Sequence, residues 1–289
     1  MSAAAPPRTR NRHKLVLLLF ALTFIGLAGR WFYHRVTERS RVIDAIIAAG
    51  GKHQSPTSQP GLDRLIARLS GDRGAGDEVF LDGPNFDEAW LVAQHDLRSL
   101  DVRQLMIRDT RLSRTAVLRL VERHSLDSLV AQGIPLTDAD AGILADQKNL
   151  THLTLMHSEF TDTGLAALNP QRLRALNIAG TRVTSVALQK ELAGAPQLQY
   201  LMIDGQQFTP ELAAQLSPMK SLYMIALIGP DVTDEHVKLL ESMPNLRYMR
   251  MDQTSVSEEA VAALRAARPA PATIEVAPPA EVFFKWRSE

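Results

Sequence analysis

The sequence predicts an α/β solenoid, a fold in which short strand-turn-helix units stack side by side along one axis. One apolar pattern recurs every 23 to 26 residues from about Val79 to Val276. Within a copy, the apolar residues first alternate as in a half-buried strand and then take the spacing of a helix. A hydroxyl residue stands between these two parts. Because a fixed period of this length is the signature of repeat architectures, stacked copies are expected to build the core.

The composition is that of an ordinary globular protein, and it excludes several classes of site. The 289 residues are 45% hydrophobic and 22% charged, and the formal net charge is zero. This balance gives no reason to expect a nucleic-acid partner. The chain has no cysteine. Disulfides, thiolate zinc sites and a cysteine nucleophile are therefore excluded.

Membrane insertion is predicted for the amino-terminal part of the chain. Residues 1–14 form a basic tail without acids, and residues 15–29 are apolar except for one threonine. Extended through an aromatic trio to residue 33, a helix reaches roughly 28 Å, close to a bilayer core of about 30 Å. Residues 15–33 are therefore predicted to be a single transmembrane signal-anchor helix, with the repeat domain on the non-cytoplasmic side. A cleaved signal peptide ending in Gly26-Leu27-Ala28 is the alternative.

Residues 34–78 are predicted to be a helical linker and an amino-terminal cap. A first helix is expected from Arg41 to a stop at Gly50-Gly51, with one apolar face formed by Val42, Ile43, Ile46 and Ile47. Residues 53–61 are predicted to be a turn or short linker, and Leu62 to Leu69 a second helix. The two helices would cover the exposed edge of the first repeat. Binding to the membrane surface or to a second copy is the alternative.

The repeats themselves predict which residues form strands and which begin helices. In the copy around Leu153, that residue and Leu155 point to the core while Thr154 points out. The equivalent central position holds Leu105, Leu129, Leu153, Leu176, Leu201, Ile225 and Met249, with Val79 as a degenerate first member. Helix N-caps are expected at Ser113, Thr137, Thr161, Thr184, Thr209, Thr233 and Ser257. Acids that follow them suit the positive end of the helix dipole, among them Asp138, Asp162, Asp234 and Glu258.

This pattern resembles the leucine-rich repeat, and its spacing is similar to the cysteine-containing subclass and its GALA-like bacterial relatives. Thr110, Thr181 and Thr254 stand where those repeats carry cysteine or asparagine. The layout also resembles small bacterial proteins with one amino-terminal membrane segment followed by such repeats. The resemblance implies a horseshoe-like solenoid over residues 79–276, with a parallel sheet on the concave face and helices on the convex face. It implies a protein-binding surface and no conserved chemistry.

The outward strand positions of the last repeats are the candidate binding site. Tyrosine, methionine and arginine are favoured in protein interfaces, and this part of the predicted concave face is rich in them. The candidate residues are Tyr200, Met202, Met224, Ile228, Tyr248 and Arg250. Residues 277–289 are predicted to be a capping tail, whose Val282, Phe283, Phe284 and Trp286 close the open end of the core. The alternatives are that this tail binds a partner, or that it covers the candidate site itself.

No residue pattern in the chain predicts chemistry. The recurring acids are explained by helix capping, and His152 and His157 lack the spacing of a metal motif. Neither a metal, a cofactor nor a small-molecule substrate is expected, and the chain is predicted not to be an enzyme. The predicted function is a membrane-anchored leucine-rich repeat protein that binds another protein through its concave face. A self-associating envelope component and a regulatory or adaptor subunit of an enzyme are the alternatives.

Overall fold

The repeated apolar alternation forms the strands of one continuous sheet. The computed structural model describes residues 30, 33–34, 36–55, 76–94, 97–193, 195–268 and 272–277. Within these residues ten strands, β1 to β10, lie in chain order. The first pair is antiparallel, and every later pair is parallel. This sheet confirms the predicted leucine-rich-repeat-like α/β solenoid.

The elements alternate along the chain. The strands are β1 (Lys52–Gln54), β2 (Asp77–Asp82), β3 (Val102–Arg108), β4 (Ser128–Gln132), β5 (His152–Thr154), β6 (Ala175–Asn177), β7 (Tyr200–Asp204), β8 (Met224–Ile228), β9 (Tyr248–Asp252) and β10 (Thr273–Ala277). The helices are α1 (residues 36–48), α2 (Glu88–Ala93), α3 (Arg114–Arg123), α4 (Ala141–Ala145), α5 (Asp162–Leu168), α6 (Ser185–Glu191), α7 (Pro210–Leu216), α8 (Asp234–Glu241) and α9 (Glu258–Ala267). Each helix from α2 to α9 connects two neighbouring parallel strands.

The central apolar residues of the repeats pair with one another across the sheet. Val79 pairs with Leu105, and the row continues through the predicted central residue of every strand as far as Met249. Ile274 of β10 extends the row. These side chains are buried with the apolar faces of the helices in one hydrophobic core. Ala131, which replaces a strand leucine, is fully buried in the same core.

The predicted hydroxyl residues cap the helices, and acids of the preceding repeat bind them. Thr161 and Thr184 are N-caps, as are the other five predicted positions. Asp138 accepts hydrogen bonds from the backbone N–H of Thr161 at 2.8 Å and from its hydroxyl at 2.5 Å. Asp162 accepts the same pair of bonds from Thr184, at 2.7 and 2.9 Å. These acids therefore join successive helix starts as well as facing the helix dipole.

The amino-terminal end of the sheet is covered by α1 and β1. Val42 and Ile46 of α1 are buried, as the apolar pattern predicted. Ile47, about 100° further round the helix than Ile46, is 57% exposed. Gly51 leads into β1, and a Cβ atom there would lie 2.5 Å from the carbonyl oxygen of Phe80. The prediction of a turn or linker from residue 53 was wrong for His53 and Gln54, since these residues pair with β2. They satisfy backbone groups that the edge of β2 would otherwise expose.

A buried ion pair joins α1 and β1 to the first repeat. Arg39 donates two hydrogen bonds to the carboxylate of Asp77, one of them from Nη1 at 2.6 Å. His53 Nε2 lies 3.1 Å from the same carboxylate, and the backbone N–H of Asp101 donates to it at 2.8 Å. Burial alone raises the pKa of Asp77, but the hydrogen bonds of His53 and Arg39 and the charge of Arg39 together lower it well below its usual range.

Three predicted segments lie outside the described residues. These are the transmembrane helix over residues 15–33, apart from Arg30 and Tyr33, the helix from Leu62 to Leu69, and the tail that follows Ala277. Among the helices that the structure does describe, none has the length and apolar character needed to span a bilayer. The membrane segment therefore stays a prediction from the sequence.

We predict that Asp77→Ala lowers the free energy of unfolding by about 3–5 kcal/mol, because it leaves the Arg39 guanidinium without its buried carboxylate. Asp82→Ala is the matched control. Asp82 also lies in β2 and also binds an arginine, Arg108, but its side chain is 40% exposed. The control is expected to cost no more than about 1 kcal/mol. Urea unfolding of the full chain measures both values.

The effect of Asp77→Ala should also depend on pH. The folded-state pKa of Asp77 is lowered, so its contribution is complete above an unfolded-state pKa of about 3.9 and is lost as the pH falls further. The difference between the parent and Asp77→Ala is expected to shrink below about pH 4. If Asp77→Ala and Asp82→Ala lowered the free energy of unfolding equally at neutral pH, the buried pair of Arg39 and Asp77 would have no special role.

Candidate functional site

The candidate site lies on the face of the sheet that points away from the helices, called the distal face here. Successive strand residues point to opposite faces, so the residues between the core positions form this surface. One register row of the distal face contains Phe80, Met106, Val130, Thr154, Asn177, Met202, Ala226 and Arg250. The same pairing that builds the core therefore also places unlike side chains side by side on the distal face.

The six predicted site residues lie together on three adjacent strands. Tyr200 and Met202 are on β7, Met224 and Ile228 on β8, and Tyr248 and Arg250 on β9. Tyr200 pairs with Met224, which pairs in turn with Tyr248. Sequence spacing alone therefore located one contiguous surface.

The central residues of this surface are buried. Met202, Met224 and Ile228 have only 2%, 5% and 6% of their surface exposed. They form a second hydrophobic cluster, separate from the main core, which we call the distal cluster. Its buried members are Met156, Ala179, Met202, Met224, Ala226 and Ile228, with the half-buried Tyr200 and Tyr248 packed against them.

Charged groups border the distal cluster at the carboxyl ends of the strands. Arg250 donates from Nε to both carboxylate oxygens of Asp252, at 2.9 and 2.7 Å. Burial raises the pKa of Asp252, while its bond to Arg250 opposes the increase. Burial also raises the pKa of Asp204, although the backbone N–H of Gly180 donates to that carboxylate at 2.8 Å.

Tyrosines border the cluster at the other ends of the strands. The ring centroids of Tyr200 and Tyr223 are 6.1 Å apart, and Tyr223 is 47% exposed. Burial and a hydrogen bond to Glu275 raise the pKa of Tyr248 to about 12. Tyr223 and Glu275 were not among the predicted site residues. Tyr223 directly precedes the strand, and Glu275 reaches the site only because β10 pairs with β9.

The chemistry of this surface is that of binding. Apolar side chains with tyrosine hydroxyls and one arginine at the border can bury an apolar segment and orient it through hydrogen bonds. Within the described part of the chain, histidines and acids form no group that could hold a metal ion. Burial and the charge of Arg174 lower the pKa of His152, on β5 of the same face.

Comparisons with known proteins give only distant likenesses. No protein-family model matches the sequence, and neither does any curated protein. Among solved structures, the chain is similar to internalin C2 from Listeria monocytogenes, with 22% identity and a TM-score of 0.38 over 63% of this chain and 74% of that one. It is also similar to a leucine-rich repeat protein of Leptospira interrogans, with 17% identity and a TM-score of 0.36 over 63% of this chain and 50% of the other. The fold assignment rests on the parallel sheet and its register.

We predict that Met202→Ala lowers the free energy of unfolding by about 2–5 kcal/mol, the usual cost of removing a buried methionine side chain. Met106→Ala is the control, since Met106 stands in the same register row on β3 but is only half-buried. Met106→Ala is expected to lower the free energy of unfolding by clearly less than Met202→Ala does. Urea unfolding of both variants tests whether the distal cluster is as well packed as the burial of Met202 indicates.

Proposed function

We propose that this chain is a membrane-anchored binding protein that takes an apolar segment of another protein on its distal face. The observation that carries the proposal is the distal cluster. Six buried apolar side chains, with two tyrosines packed against them, form a contiguous surface on the side of the sheet away from the core. When such a surface is uncovered, a contiguous apolar patch is characteristic of interaction sites.

The composition of the surface favours a protein as the partner. Met156, Met202 and Met224 supply flexible, polarisable side chains that adapt to irregular shapes. Tyr200 and Tyr248 add rigid rings with polar ends, and Arg250 lies at the border of the cluster. Tyrosine, methionine and arginine are the residues enriched at protein interfaces. With a balanced net charge, the chain lacks the overall positive charge that favours a nucleic acid.

We further propose that residues 15–33 anchor the chain and that the repeats lie on the non-cytoplasmic side. The support is the apolar run that begins at Leu15, the basic residues before it and the aromatic residues at its end. An anchored repeat domain would present its distal face to partners at the membrane. The proposed role is binding without catalysis.

The partner proposal predicts that charges in the distal cluster abolish binding. The partner is first identified by cross-linking to the full-length parent protein and capture from solubilised membranes. The amount of partner captured by full-length protein with Tyr200→Glu and Met224→Glu is expected to fall by at least about tenfold. The matched control is Ser128→Glu with Gln132→Glu, which adds the same charge to the distal face on β4. The control should retain the partner. A partner that remains bound to the cluster variant contradicts this site.

Because Met224 is buried, a glutamate there can also disturb folding. Circular dichroism melting of both double variants checks this, and Tyr200→Ala with Tyr248→Ala provides a milder test at two half-buried positions. Light scattering of the detergent-solubilised chain tests the alternative role, in which the chain self-associates. A defined oligomer that dissociates in the cluster variants would identify a second copy of the chain as the partner.

The anchor proposal predicts that the membrane-bound protein keeps its amino-terminal residues. Sequencing of the membrane-bound protein is expected to find residues from the basic tail before Leu15, because an uncleaved anchor retains them. The protein should also stay in the membrane after extraction with alkaline carbonate. A mature protein that begins at Gly29 would show that the apolar segment is a cleaved signal peptide.

A further inference from the structure

We propose that two copies of this chain pair through α1 and the residues just before it. The contact surface is a stripe that we call the α1 seam, formed by Tyr33, Val36, Ser40, Ile43 and Ile47. This inference goes beyond the proposed function, because the seam lies outside the distal cluster. Only the parallel orientation of the two helices rests on the proposed anchor. The exposure of the seam, its spacing and the way α1 is held on the solenoid support the assignment.

The seam carries a large share of the exposed apolar surface. Seven large apolar side chains are exposed in the described part of the structure. Three of them lie on the seam, where Tyr33, Val36 and Ile47 are 74%, 47% and 57% exposed. The other four are scattered over α2, α6, β10 and the residue before β8. Single apolar residues on a surface are ordinary, but a row of them on one helix indicates a contact with another surface.

The seam residues have the spacing of a coiled coil. They stand 3, 4, 3 and 4 positions apart, which is the alternation of positions a and d in a heptad repeat. Residues 30, 33 and 34 are helical like α1 itself, and the hydroxyl of Thr37 donates to the carbonyl oxygen of Tyr33 at 2.8 Å. Ser40 is the polar member of the seam, and one polar residue at position a helps to fix the register of paired helices. The pattern therefore favours a second α1 as the occupant.

The solenoid holds α1 as a helix before any pairing takes place. Val42 and Ile46 pack into the main core, and Arg39 binds the carboxylate of Asp77. An isolated helix of about 15 residues, the length of the seam, is only marginally stable in water. Here neither copy has to fold a helix in order to associate. A short seam is therefore enough.

Pairing through the seam leaves room for both solenoids. The middle of the seam lies about 110° round the helix from the direction of Val42 and Ile46. A two-fold axis between the helices places each seam residue against the same residue of the other copy. It also turns the two solenoids to opposite sides. The charged residues that flank the seam are Asp44 at position e and Arg39 at position g, so a parallel pair brings no like charges together.

The proposed anchor sets the direction of the pair. Residues 15–33 end where the seam begins, so two copies in one membrane would present their α1 helices in the same direction. A parallel pair follows. Confinement to one membrane also raises the effective concentration of each helix for the other.

The first test is cross-linking in the full-length chain, which has no cysteine of its own. Ser40→Cys places a thiol at the centre of the seam, where it would face its counterpart in the second copy. A short bismaleimide should join two chains in detergent micelles. The control is Arg41→Cys, which is also exposed but points about 100° away on the same helix. It should yield at least about tenfold less covalent dimer. Equal yields would show random collision and overturn the proposal.

The second test uses charge, and light scattering measures it. Val36→Glu with Ile47→Glu should raise the dissociation constant of the dimer by at least about tenfold, because each glutamate faces another. Val36→Lys with Ile47→Lys should do the same. A mixture of the two variants should dimerise again, since opposite charges then meet. The control is Val92→Glu with Val186→Glu, which changes two exposed valines on other helices and should leave the dimer intact.

The outcomes separate this proposal from the proposed function. The variant with Tyr200→Glu and Met224→Glu should lose the partner of the distal cluster but remain dimeric. A dimer that is lost only in this variant would place self-association at the distal cluster and overturn the seam. A parent chain that is monomeric in detergent micelles, or a mixture of the two charge variants that stays monomeric, also overturns it. None of these measurements needs a partner of the distal cluster.

Discussion

The register of the parallel strands is the constraint on which the rest of the structure depends. Each strand completes its backbone hydrogen bonds only with the next copy, and each inward side chain, such as Leu153, packs against the equivalent residue of its neighbours. No unit has a core or a paired backbone of its own. Because side chains alternate across a strand, a shift of one residue would exchange the core face for the distal face. The distal cluster is thus fixed by the same pairing that fixes the core.

Polar contacts between repeats add a second layer of coupling. Asp138, Asp162 and Asp234 each bind the cap residue of the next helix through both its N–H and its hydroxyl. Hydrogen bonds from the backbone and hydroxyl of Ser257 lower the pKa of Asp234. At the first repeat, where no earlier copy exists, the buried pair of Arg39 and Asp77 fastens α1 to the sheet. Bonds from an acid to the next helix cap therefore join the repeats, whereas an ion pair joins the amino-terminal helix to the sheet.

The distal face shows how a repeat architecture combines a uniform core with a specific surface. Core positions tolerate only apolar residues, whereas distal positions vary from Gln104 in β3 to Ala226 in β8 without disturbing the register. Selection for binding can therefore act on these positions independently. Where neighbouring distal positions are apolar, as in the distal cluster, the surface becomes a candidate interaction site.

The sequence by itself determined the elements whose signals are local and periodic. Its period gave the row from Val79 to Met249, and the hydroxyl positions gave every predicted cap, because a strand and a helix start are each specified within a few residues. It also grouped Tyr200, Met224 and Tyr248 on one face. Only the tertiary structure decided the pairing of Lys52–Gln54 with β2, the bonds from acids to the next cap, and the burial of Met202. These features depend on groups that are distant in the sequence, and no local pattern encodes what packs above a sheet.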